Sequence, residues 1–281
     1  MTNYAYEHGF GTEWTDFLVQ HRQGYATSVS GFHRHGFYEV NLILSGNVKI
    51  LLSDKTQQGI NSQIVLTRPG TPHYITCSND TLYQRLYLLF SENFVAEYVP
   101  EWKKLVSVFG KSGRIIPVTQ KQTEICKTLI EQLPKEADPF RQRLLILYLL
   151  SYLGELSVED THNEKESPRF VMEALAYMEE HYSEKILAAE LAKKLFVSRT
   201  VLMTEFKAHT GTTMNQYLIR CRLRHALRLL RQGYPEYQTA EQCGFTDSAS
   251  LIRCFKKYYD TTPRKYLLQE QNKSEPGGNS L

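Results

Sequence analysis

Cysteine is sparse in this chain and shows no paired spacing: five in 281 residues, scattered from Cys77 to Cys254 without a CxxC. A disulfide framework and a zinc site built on cysteine are both excluded by that pattern. Long apolar runs are missing as well. The longest, Leu144 to Leu150, is far shorter than the roughly 20 residues of a membrane span. The opening MTNYAYEHGFGTEW has no basic run followed by an apolar core, so it does not read as a secretory signal. A soluble, cytoplasmic protein with no membrane partner is expected. No Gly-rich phosphate loop and no nucleophile–base arrangement stands out, and no catalytic residue is assigned.

What is present points to two domains. The length suits two units of about 100–200 residues, and 42% hydrophobic residues are enough to fill their cores. The net charge of +3 conceals an asymmetry. Residues 1–167 carry 16 Lys/Arg against 18 Asp/Glu, and residues 168–281 carry 17 against 12. An acidic front and a basic back fit a sensing domain joined to a domain that binds a polyanion.

The front third reads as short strands at 38–44, 47–52, 63–67, 73–76 and 82–90, punctuated by Gly, Asn, Asp and Pro, which argues for an antiparallel sandwich or barrel. Helical spacing follows over about 92–109, 119–134 and 139–157. The last of these, FRQRLLILYLLSYLGEL, is apolar nearly all round and must be covered by the barrel or by a second copy of the chain. Polar residues 160–167 read as a linker, residues 168–270 as all-helical, and residues 271–281 as a flexible tail.

Sliding the back half along itself by 49 residues exposes a repeat. Leu202, Phe206, Lys207, Thr212, Thr213, Tyr217 and Leu218 fall on Leu251, Phe255, Lys256, Thr261, Thr262, Tyr266 and Leu267. Each copy has a short amphipathic helix, a tight turn, an N-cap residue (Ser198 or Asp247) and a second helix, which is a helix-turn-helix. Helical spacing turns Leu202 and Phe206 inward and leaves Arg199, Thr200, Met203, Thr204 and Lys207 outside. In the second copy Leu251 and Phe255 go inward, leaving Ser248, Ala249, Ile252, Arg253 and Lys256 to face a DNA major groove. Arg253 suits guanine, Ile252 a thymine methyl, and the lysines suit phosphates.

These motifs resemble the AraC/XylS family of transcription regulators: LAKKLFVSRTVLMTEFKAHTG, the long helix YLIRCRLRHALRLL, and CGFTDSASLIRCFKKYYDTTPRKYL. The resemblance implies seven helices, two of them reading successive major-groove segments of double-stranded DNA, with a spacer helix between. Arg220, Arg222, Arg224, Arg228 and Arg231 on that spacer are candidates for phosphate contacts. One departure is GYPEYQTAEQCGF, which lacks the usual isoleucine–alanine pair, so loose packing of the second unit is expected.

The front domain resembles a cupin. His33-x-His35, Glu39 and Gly46 match the first motif of that fold, and Gly70-x-x-His73 matches the end of the second. Alternation places His33 and His35 on one face, able to converge with Glu39 and His73 in a barrel mouth. The fold class expected is therefore two-domain α+β: a cupin-like barrel over residues 1–90, a helical dimerisation or packing segment over 91–159, and the all-α domain with two helix-turn-helix units. A lumen lined by His33, His35, Glu39, His73, Tyr25 and Tyr87 suits a small-molecule effector, a sugar above all. No cofactor is assigned, and a divalent metal held by His33, His35, Glu39 and His73 is the alternative use of the same residues. The reading is a DNA-binding regulator responding to that effector, a homodimer, and by resemblance an activator working through RNA polymerase. The alternative is a metal-binding cupin enzyme fused to a helical domain.

Overall fold

A computed structural model describes residues 17–24, 31–52, 55–59, 62–77, 82–97, 99–111, 113–157, 165–166 and 168–274. They fall into a β-rich unit within residues 8–168 and a helical unit from Arg169 onward.

The β unit opens with β1 (Phe17–Gly24), β2 (Tyr38–Ser45), β3 (Val48–Leu52), β4 (Lys55–Gly59), β5 (Gln63–Thr67), β6 (His73–Cys77) and β7 (Tyr83–Phe90). Helices α1 (Glu92–Ala96) and α2 (Trp102–Leu105) lead to β8 (Arg114–Pro117), then α3 (Gln120–Gln132), α4 (Pro139–Leu156) and β9 (Lys165–Glu166). Two antiparallel sheets result, ordered β1-β7-β2-β5-β8 and β6-β3-β4-β9. They remain separate ladders rather than one closed cylinder, yet their inner faces share a core of Ile43, Val65 and Ile115 with Val48, Ile50 and Ile75.

The first sheet is buried on both sides, which is why β2, β5 and β7 are so apolar. Its outer face (Tyr38, Val40, Leu42, Leu66, Leu88, Phe90) packs on Phe109, Ile130, Ile146, Leu149 and Leu153 of the helical segment. Tyr38 stacks on Phe90 at 5.3 Å and meets Phe109 edge-on at 4.9 Å. One face of α4 is thus sealed against the sheet, while Phe140, Leu144 and Tyr148 at helical spacing stay exposed.

Three expected boundaries shift. The 91–159 segment is not purely helical, because RIIP pairs with β5 as an edge strand. Lys165 and Glu166, inside the expected linker, pair with β4. The last helix runs to Ser274, four residues into the expected tail.

The helical unit contains seven helices among the described residues: α5 (Arg169–Glu180), α6 (Ala188–Lys194), α7 (Arg199–Thr210), α8 (Met214–Arg231), α9 (Glu236–Gln242), α10 (Ser248–Tyr259) and α11 (Pro263–Ser274). Side-chain caps set the starts of α7, α8 and α10. Ser198 Oγ accepts from the Val201 amide at 3.2 Å, Asp247 Oδ1 from Ser250 at 2.6 Å, and Thr213 with Gln216 closes a capping box on α8.

Candidate effector site and nucleic-acid interface

Strand register decides what lies between the two sheets. Glu39 is opposite Thr67 on one side, and Asn41 is opposite Tyr87 on the other. Counting in twos, Glu39, Asn41, Gln63, Thr67, Tyr83, Arg85 and Tyr87 all point to the face opposite the helices. All seven are buried. Arg85 donates to Asn41 Oδ1 at 3.2 Å and lies over the Tyr87 ring at 4.9 Å. Asn41 in turn donates to Glu39, and the Tyr87 hydroxyl to Gln20. Gln63 Oε1, Thr67 Oγ1 and the Tyr83 hydroxyl are buried without a protein hydrogen-bond partner. A polar atom buried that way is costly unless something else matches it.

At one end of this face the four cupin-like residues meet. His33 and His73 exchange main-chain hydrogen bonds at 3.1 and 2.9 Å, which fastens the histidine loop to β6. Their rings lie 4.2 Å apart, and His35 is 5.1 Å from His73. Glu39 Oε2 takes His35 Nε2 at 2.8 Å and His73 Nε2 at 3.1 Å. The four donor atoms lie within 4.8 Å of one another, a grouping able to hold a metal ion. Burial, helped by the neighbouring imidazoles, pushes His33 well below the ordinary histidine range, and burial lowers His35 against the pull of Glu39. Burial alone would raise the Glu39 carboxyl, but hydrogen bonds from His35 and His73 outweigh it and hold the group well below the usual range. Burial likewise pushes the Tyr83 phenol up to about 12.

The structure thus places His33, His35, Glu39 and His73 together at one end of the face that also carries Tyr87. Tyr25 lies outside the described residues. Asn41, Gln63, Thr67, Tyr83 and Arg85 were missed; the usable signal was the two-residue period running from Glu39 through its paired strands.

In the helical unit the two helix-turn-helix copies are built alike. Leu202, Phe206, Leu251 and Phe255 are buried, as expected. Arg199, Thr200, Met203, Thr204 and Lys207 are exposed along α7. On α10, Ala249, Arg253 and Lys256 are exposed, with Ser248 and Ile252 half-buried at the rim. Both turns end the first helix through a left-handed residue, Phe196 (φ 57) or Gly244 (φ 72), with matching bonds from the next amide to Ala192 O or Ala240 O.

Two spacer arginines are not phosphate ligands. Arg222 donates to the main-chain oxygens of Tyr182 and Glu184 at 2.7 and 2.8 Å. One nitrogen of Arg224 donates to both carboxylate oxygens of Glu179 on α5, at 2.5 and 2.7 Å. Both hold α8 against the start of the domain.

The second unit is not loosely packed. Ala240, Cys243 and Phe245 join Leu223, Leu227, Leu251 and Phe255 in one core, and Thr239 takes the place of the missing isoleucine. The Thr239 hydroxyl is buried with no hydrogen-bond partner. Replacing it by a methyl in Thr239→Val should therefore stabilise the unit by about 1 kcal/mol, since an unmet buried hydroxyl costs about 1–3. Urea unfolding of the full chain reads this directly, and a loss of stability would show that the hydroxyl has a partner.

A β sandwich with a polar, buried inner face, followed by paired helix-turn-helix units, is the build of a ligand-responsive DNA-binding protein. The comparisons agree: residues 18–153 match the AraC-like ligand binding domain and residues 191–269 a helix-turn-helix domain. The chain belongs to the AraC family of transcription regulators. One curated relative, the probable transcriptional regulator LumQ of Photobacterium leiognathi, is 23% identical over 84% of this chain and 91% of its own length. An uncharacterised response regulatory protein of Staphylococcus epidermidis is 34% identical over 102 residues. That match spans 36% of this chain and 41% of the staphylococcal protein. ToxT of Vibrio cholerae, solved with an unsaturated fatty acid bound, is 15% identical over 92% of this chain and 97% of its own, at a TM-score of 0.42. The relatives are transcription regulators rather than enzymes. No helix among the described residues is long and apolar enough to cross a membrane.

Proposed function

We propose that this chain is a sequence-specific transcription regulator whose two recognition helices read neighbouring major-groove segments and whose β unit binds a small effector. The observation that carries the DNA half is the duplication itself. Two copies share caps, turns and buried anchors, and both leave polar and basic residues outside at the same helical positions. For the effector a carbohydrate fits best. Gln63, Thr67 and Tyr83 offer unmatched polar atoms to hydroxyls, and the Tyr87 ring lies on the same face. The exposed stripe Phe140–Leu144–Tyr148 on α4 supports homodimerisation through that helix. From the family resemblance we infer that it acts as an activator, working with RNA polymerase.

Selection from random duplex DNA tests the reading. Two recurring motifs about one helical turn apart, 10–10.5 bp, are the expected result; enrichment of none at low salt would end it. On the selected site, Arg253→Ala should weaken binding by about 1–3 kcal/mol and relax one base position. Lys207→Ala should weaken specific and random DNA alike and flatten the salt dependence. Equal losses on both DNAs for Arg253→Ala would remove that residue from base reading.

A further inference from the structure

The turn of the first helix-turn-helix carries a residue that the fold alone does not explain. Phe196 sits in the left-handed region at φ 57, where a bulky side chain is a backbone outlier. Gly244 holds the matching turn of the second unit in the same region, with no Cβ to strain it. Packing ordinarily offsets strain of this kind. The Phe196 ring, however, is 96% exposed and returns no buried area to the helical unit. Strained residues of this sort gather at functional sites.

The surroundings of the ring indicate its partner. From Leu191 to Thr204 the sequence carries Lys193, Lys194 and Arg199 and no acidic residue. All three cations are exposed, and Lys194 is steadied over the Tyr177 ring at 4.2 Å. This basic rim matches a polyanion. It is also continuous with the recognition face, since the exposed Arg199 and Thr200 begin α7 directly after the turn. In a helix-turn-helix the first helix crosses the DNA backbone while the N-terminal residues of the second meet the base edges. The turn between them therefore lies where backbone borders groove.

We propose that Phe196 is a positioning contact for DNA. Its ring packs on the apolar faces of deoxyribose at the edge of the groove entered by α7, with Lys193 and Lys194 on the flanking phosphates. The proposal rests on the reading of α7 as a recognition helix. A sugar carries no base information, so the contact adds affinity without sequence preference and sets how α7 is seated. An apolar contact also releases no counterion, so it leaves the salt dependence alone, whereas each lysine on a phosphate contributes to it.

The test compares the full-length wild type with Phe196→Gly, Phe196→Asn and Phe196→Tyr. Each is bound to the selected duplex and to random duplex across a salt series, and each is unfolded in urea. Glycine and asparagine both tolerate the left-handed region, so their unfolding midpoints should equal or exceed that of the wild type. Their binding should nevertheless fall about fivefold to tenfold on both duplexes, the loss of one partly buried apolar side chain, with the salt slope unchanged. Tyrosine keeps the ring and should bind within about twofold of the wild type. Lys193→Ala and Lys194→Ala give the contrast, each lowering the slope by about 1. Unchanged binding in the glycine and asparagine variants overturns the proposal and leaves the ring to a protein partner. A loss confined to the selected duplex overturns it as well, because the ring then touches a base. Midpoints that fall in both variants show that the ring serves its own unit, which also overturns it. A wild type that selects no motif ends the recognition-helix reading and this contact with it; a wild type that selects motifs beside indifferent variants removes the contact alone.

Discussion

Glu179→Ala is expected to destabilise the helical unit by about 3–5 kcal/mol, the usual result of deleting one partner of a buried ion pair. Glu179 and Arg224 are only 20% and 12% exposed, so solvent screens the pair weakly. One nitrogen of the Arg224 guanidinium reaches both oxygens of the carboxylate, which also accepts from Tyr217 and from the Cys221 thiol at 3.1 Å. Alanine would leave a guanidinium and a phenol without their acceptor in the seam between α5 and α8. The cost comes from the stranded cation rather than from the attraction lost, which gives a sharper test. Glu179→Leu combined with Arg224→Leu should cost much less than Glu179→Ala alone, because no buried charge remains. Urea unfolding of the full chain, following the transition of the helical unit, measures both. A loss under 1 kcal/mol for the single variant would mean the pair behaves like a surface bridge.

The same residues show where sequence reading reaches its end. Capping residues made the two recognition helices legible, because a helix start is a local event: Ser198 and Asp247 each cap within three residues, whereas the count of seven helices came from the family resemblance. The spacer arginines were not legible. Their acceptors lie 38 to 45 residues upstream, and a helical arginine looks the same whether it meets a phosphate or a main-chain oxygen. The β unit divides in the same way. Strands rich in Val, Ile and Leu were found, whereas KTQQG has no apolar residue at all and RIIP is four residues long. Both form because a partner strand is already present. His33, His35, Glu39 and His73 were found through their spacing. Gln63 and Thr67 became visible only when the pairing of β2 with β5 set them on the face of Glu39.

Gly244→Ala should cost the helical unit about 3 kcal/mol, more than the conformation alone explains. Gly244 has φ 72, where an ordinary L-residue costs about 1–2 kcal/mol. Phe196 holds the equivalent turn of the first unit at φ 57 and is 96% exposed, so the left-handed conformation does not by itself demand glycine. The difference is what lies alongside. A Cβ on Gly244 would stand 2.3 Å from the Ser183 carbonyl oxygen, a main-chain atom that cannot rotate away. The turn between α5 and α6 is therefore pressed directly against the turn of the second helix-turn-helix, and opening it would disturb the seating of α10. Gly233, with φ 87 and nothing within 4 Å of its missing Cβ, is the control. Gly233→Ala should cost only the conformational part, about 1 kcal/mol, and leave DNA binding unchanged. Gly244→Ala should lower the unfolding midpoint further and weaken binding at the motif read by Arg253 before the one read by Arg199. Equal losses for the two alanine variants would show that the Ser183 segment gives way, and that the second recognition helix is not braced from behind.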